Sequence, residues 1–149
     1  MKYLLSIFLV SLVFFSVPLH AQTIPAGADG IELTTTLSDS TLFESVQAYL
    51  ENEGFSIEKA DEDSATIVTA YKLAYGSTQI RILASIEKGV VVFTGEGTFD
   101  ESGQQFENEP LVNEGAEEGS IKGGFVAFNG IINRYAKTLE LATLEYTVP

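Results

Sequence analysis

The sequence predicts a two-layer α+β fold: an antiparallel sheet of about five strands covered on one face by two helices, in the order β-α-β-β-β-β-α. Three observations carry this expectation. Apolar residues recur at helical spacing at Leu42, Val46, Tyr49 and Leu50, and again at Phe125, Phe128, Ile132, Tyr135 and Leu139. Between those stretches lie four short segments of period-two alternation, separated by turn-forming residues. Two amphipathic helices need an apolar surface to cover, and a sheet with one buried face supplies it.

Taken in order, the chain opens with Lys2 and the apolar run from Tyr3 to Val17, then a short break ending at Ala21. This is the pattern of a secretory signal peptide over residues 1–21, too short to span a bilayer comfortably, with cleavage before Gln22. The expected mature protein is exported, periplasmic or extracellular, with no membrane insertion after cleavage. Residues 22–30 read as a flexible leader of Pro, Gly and small residues, and a single domain follows over 31–149. Ile31, Leu33, Thr35 and Leu37 alternate with Glu32, Thr34 and Thr36, which fits a strand. Thr41 and Glu44 form a capping-box pattern at the start of the first helix. Gly54 ends that helix by supplying a left-handed position, from which Phe55 folds back onto the last turn.

Four strands are then expected: Phe55–Ala60, Ala65–Tyr75, Thr78–Glu87 and Val90–Phe99. The turn formers at 61–64 and 75–77 separate them, and Lys88-Gly89 places a glycine where a tight hairpin needs positive φ. Gly95 and Gly97 share one face of the last of these strands, where a bend or a closely packed helix is expected. The stretch 100–122 reads as a long acidic loop, in which Phe106, Leu111 and Val112 are apolar residues that a purely solvated connection does not need. The second helix carries Gly130 as a point of close approach to the sheet, and the tail from Ala142 to Pro149 reads as frayed or extended.

Composition removes several chemistries. The chain has 149 residues, with 21 acidic against 8 basic side chains and a formal charge of −13. Loss of residues 1–21, which contain Lys2 and no acid, leaves −14 over 128 residues. Such a surface repels phosphate backbones and anionic membranes, so nucleic acid is not an expected partner. There is no Cys, and the single His, His20, leaves with the signal peptide. Ser-His-Asp and Cys-His nucleophiles, His-ligated zinc and thiol redox chemistry are therefore excluded from the mature chain.

The order of elements across 31–141, together with the signal peptide, resembles the TATA-binding-protein-like or helix-grip arrangement, and in particular a secreted bacterial domain family of unknown function. The resemblance implies a fold and a periplasmic or surface setting. It implies no activity.

Three sites are candidates. On the sheet face opposite the helices, alternation gathers Val68, Lys72, Arg81, Leu83 and Val92, an aliphatic patch with two of the few cations, suited to a protein partner or to self-association. Tyr71 is expected on the helix side. In the acidic stretch, Asp100, Glu101, Glu107 and Glu109 are oxygen donors of the kind Ca²⁺ takes, although the spacing of an EF-hand loop is missing; no other cofactor is indicated. Tyr71, Tyr75 and Tyr135 beside paired carboxylates are the ingredients of a weak glycoside-type hydrolase. The leading expectation is an exported, non-enzymatic binding or interaction module acting through the exposed sheet face. A calcium-binding structural domain and a carboxylate-based hydrolase are the alternatives.

Overall fold

The computed structural model describes residues 23–114 and 119–149; the predicted signal peptide lies outside the described residues. Its elements are β1 (Gly30–Thr34), α1 (Asp39–Asn52), β2 (Ile57–Asp61), β3 (Thr66–Thr69), β4 (Lys72–Tyr75), β5 (Thr78–Glu87), β6 (Val90–Glu101), β7 (Gln104–Pro110), α2 (Ser120–Ala136) and β8 (Thr143–Thr147). The fold is α+β with two helices among the described residues, but the sheet has eight antiparallel strands rather than about five. The predicted order fails with the count.

The spine is the β5–β6 hairpin, closed by Lys88 and Gly89, both at positive φ, with Glu87 directly opposite Val90. Asp39, in the first turn of α1, accepts hydrogen bonds from the Lys88 and Gly89 amides at 3.1 and 2.6 Å and ties the helix to this turn. Outward from the spine the order is β2-β3-β5-β6-β1-β8. β4 pairs with the β5 edge that β3 also uses, and β7 pairs with the β6 edge that β1 also uses.

Three of the extra strands have separate origins. The predicted strand 65–75 is broken: Val68 pairs with Leu83, but Lys72 pairs with Ile80, so one extra residue is inserted near Ala70 and Tyr71. Such a bulge reverses which face each later side chain takes. The acidic stretch is not a loop at its start; it is a hairpin turning on Ser102 and Gly103, both at positive φ, with Phe99 stacked on Phe106 at 5.2 Å. Of the two expectations for the tail, frayed or extended, the second holds, and β8 pairs with β1 over five register positions. Nor are residues 24–29 a free leader: Gly27 N donates to Asn113 O, Asn113 N donates to Ala28 O, and Ala28 is fully buried.

One face of the sheet carries the core. Ile31, Leu33, Ile67, Ile80, Ile82, Val91 and Phe93 meet Leu42, Val46 and Leu50 of α1 and Phe125, Phe128, Ile132 and Tyr135 of α2, all of them buried. The N-cap of α1 is Ser38 rather than Thr41, since the Ser38 hydroxyl accepts from Thr41 N. Gly54 takes φ +85° and Phe55 N donates to Leu50 O, the helix end that the sequence predicts.

The seat of α2 is set by Leu111, which is fully buried. A Cβ on Gly95 or on Gly124 would come within 2.7 Å of its Cδ atoms, and one on Gly97 within 3.0 Å. Two strand glycines and one helix glycine thus line a slot that this leucine fills. Gly130, by contrast, faces no sheet atom, and a Cβ there would meet only Arg134. The close approach lies at the start of α2, where Gly123 packs against the Tyr75 ring.

The far ends of the helices are clasped together. Arg134 donates to Glu53 at 2.6 Å, Lys72 donates to the Glu53 carbonyl and lies over the Phe55 ring, and Tyr49 donates to Ile131 O at 2.9 Å. The Arg134 hydrogen bond holds the Glu53 carboxyl below its usual value of 4.5. Burial, with the Glu53 charge next, pushes the Tyr49 hydroxyl up to about 12.

Two outcomes are expected. Leu111→Ala leaves the glycine slot empty and costs about 2–5 kcal/mol in denaturant unfolding, the range for a buried leucine truncation; a loss within experimental error would show that α2 is seated by other contacts. Because the folded Glu53 pKa is depressed, the clasp's contribution is complete well above pH 4.5 and is lost as pH falls through the folded value. The melting midpoints of wild type and Glu53→Gln therefore differ at neutral pH and converge in acid.

Candidate functional site

No helix covers the second face of the sheet among the described residues. Alternation along β5 and β6 brings Leu83, Ser85, Val92 and Thr94 to it, β3 adds Thr66 and Val68, and β2 adds Lys59. Val68 lies opposite Leu83, Leu83 opposite Thr94, and Thr66–Ser85–Val92 form the next row. Together they line a shallow groove of about 370 Å³. The three valine and leucine side chains are half-buried by one another and by the flanking threonines.

One end of this face is closed by a polar group. Arg81 sits directly opposite Glu96, and its Nε and Nη2 both reach Glu96 Oε2, at 2.7 and 2.6 Å, with Glu58 at 3.9 Å. The Tyr71 ring lies 5.0 Å from the guanidinium carbon, and its hydroxyl donates to Asn108 Oδ1 at 2.9 Å. From the bulge to β7 is three strand spacings, about 14 Å on a flat sheet. Tyr71 and Asn108 bridge it by reaching toward each other across β5 and β6. Burial opposes the Arg81 charge, but the Glu96 hydrogen bond and the nearby negative groups outweigh it and raise the Arg81 pKa.

The predicted binding residues therefore divide. Val68, Leu83 and Val92 are brought into one groove. Arg81 shares their face, yet its charge is already taken by Glu96, so it is no free anchor for an outside carboxylate. Lys72 is on the other face, opposite Ile80 and against Phe55, because the bulge at Ala70 and Tyr71 reverses the alternation. The same reversal puts Tyr71 on the open face instead of the helix side. Glu96 and Asn108 complete the closed end; Glu96 follows from its place two residues after Thr94 on the same strand face, whereas nothing in the sequence marks Asn108.

The four acidic candidates are spread along a hairpin. Asp100 and Glu101 are consecutive on β6 and point to opposite faces, while Glu109 stands opposite Gly97, about 10 Å along the strand from Asp100. Glu107 precedes the second bulge, where Asn108 takes φ +57°. Among the described residues no group of three or more carboxylates is placed to hold a metal ion. The tyrosines scatter as well: Tyr135 is buried and donates to Ser45 Oγ at 3.0 Å, and Tyr75 lies on Gly123 on the helix side.

No helix among the described residues is long and apolar enough to cross a membrane. No family model matches the chain, and no curated protein does.

The Arg81–Glu96 pair is about a quarter exposed on each side, so Glu96→Gln strands a partly desolvated guanidinium and costs about 1–3 kcal/mol. Replacing both residues by methionine restores most of that loss. Urea unfolding of the single and double variants checks it, and additive losses would show that the pair does not interact.

Proposed function

We propose that this protein is an exported, non-enzymatic binding module that holds a protein partner on the open face of its sheet. The observation that supports this reading is the groove of Val68, Leu83 and Val92 on a sheet whose helices cover the opposite face only. A half-buried aliphatic strip bounded by polar side chains is the anatomy of a contact surface rather than of a reaction centre. The charged groups beside it are internally matched, Arg81 with Glu96 and Lys59 with Asp61. A mature chain without His or Cys, and with no group of three or more acidic side chains placed to hold a metal ion among the described residues, supports binding over catalysis. The signal-peptide pattern of residues 1–21 supports export. The mature chain, at a formal charge of −14, favours a partner that is apolar and cationic.

A fluorescent synthetic peptide alternating valine and lysine tests the reading by anisotropy. Leu83→Asp is expected to weaken its binding by at least about tenfold, a change of about 1.4 kcal/mol, with circular dichroism and the thermal midpoint showing a retained fold. Val92→Thr, which keeps the side-chain shape, is expected to weaken it less. Undiminished affinity in folded Leu83→Asp removes the groove from the function.

A further inference from the structure

Besides the short flanking strands β4 and β7, the sheet ends at β2 and at β8, and these two edges differ. β2 at one edge carries Glu58, Lys59 and Asp61 and a register shift between Ile57 and Lys59, features that discourage a further strand. β8 at the other runs in unbroken register with β1 and contains no Lys, Arg or Pro.

Which backbone groups β8 turns outward follows from the ladder. Thr35 N donates to Gly89 O, so the odd-numbered residues of β1 address β6 and Gly30, Glu32 and Thr34 address β8. Their register partners Thr147, Glu145 and Thr143 face inward. Leu144 and Tyr146 therefore direct their N–H and C=O groups away from the sheet, and among the described residues no strand takes them. Leu141 and Val148, two large apolar side chains that are 85% and 52% exposed, flank the strand.

Charge indicates what would fit there. On the open face Glu145 stands directly opposite Glu32, and neither is in an ion pair among the described residues. Like charges directly opposite on a sheet are unfavourable, and a cation on the next strand would relieve them. A second copy of the mature chain would bring the same Glu145 and a further charge of −14.

We propose that the outer edge of β8 adds an extended, lysine- or arginine-bearing strand of the partner protein. Its main chain bonds to Leu144 and Tyr146, its cationic side chain lies beside Glu145, and its apolar residues cover Leu141 and Val148. This rests on the reading of the protein as a binding module, but not on the groove.

Amide hydrogen exchange of the isotope-labelled protein, with the valine–lysine peptide and a valine–glutamate control, tests both. The expected result is exchange at Leu144 and Tyr146 slowed by at least about tenfold by the lysine peptide only, with the effect lost in Glu145→Lys. Peptide-induced shifts at Val68, Leu83 and Val92 without slowed exchange at β8 overturn the edge site and keep the groove. Slowed exchange at β8 without those shifts keeps the edge site and removes the groove. Binding of neither peptide, or Leu144 and Tyr146 amides already protected in the free protein, overturns the edge site.

Discussion

The arrangement depends on Leu111 in its slot of glycines. Gly95 and Gly97 remove side chains from the inner face of β6, Gly124 removes one from α2, and the leucine joining β7 to the second helix occupies the space they vacate. Leu111 N also donates to Gly95 O, so one residue ends the β6–β7 ladder and starts the docking of α2. With α2 seated there, Phe125, Phe128, Ile132 and Tyr135 fall on the same sheet face that α1 covers from its own side. Both helices are committed to one layer, and among the described residues the opposite face is left to side chains alone.

That face has a polarity along its length. At the β7 end, Arg81, Glu96, Tyr71 and Asn108 satisfy one another. At the β8 end, Glu32 and Glu145 confront each other, and neither has an ion-pair partner among the described residues. The aliphatic groove has the neutralised pair beyond it along β5 and β6 and the acidic pair beside it across β1 and β8. An extended ligand of mixed apolar and cationic character has a preferred direction on such a surface.

The legible parts of this fold were those whose signal is periodic. Both helices, the β5–β6 hairpin and its Lys88-Gly89 turn follow from spacing and one glycine. The bulge at Ala70 and Tyr71 was invisible because a single inserted residue leaves no composition mark, yet it moved Lys72 and Tyr71 to opposite faces. β7 was hidden by its charge, although Ser102-Gly103, set three residues from Phe99 and from Phe106, has the form of a two-residue hairpin. β8 shows alternation at Leu144 and Tyr146 but lies in a segment read as tail. Of the candidate site, Val68, Leu83 and Val92 could be read because they depend on alternation within unbroken strands. Asn108 depends on contact across three strands, which sequence spacing cannot express.

The pairing of β1 with β8 bears on how the chain acquires this structure. Gly30 lies opposite Thr147, so the first and last strands of the sheet are neighbours, whereas β5, β6 and β7 join through tight turns. Contacts close in sequence carry a small loop-closure cost and those far apart a larger one. The central meander can form from local contacts, but β1 must wait for β6 and β8 must wait for β1. On that ordering β8 is the last strand to add, and until it does, β1 presents an unpaired side to any other chain nearby.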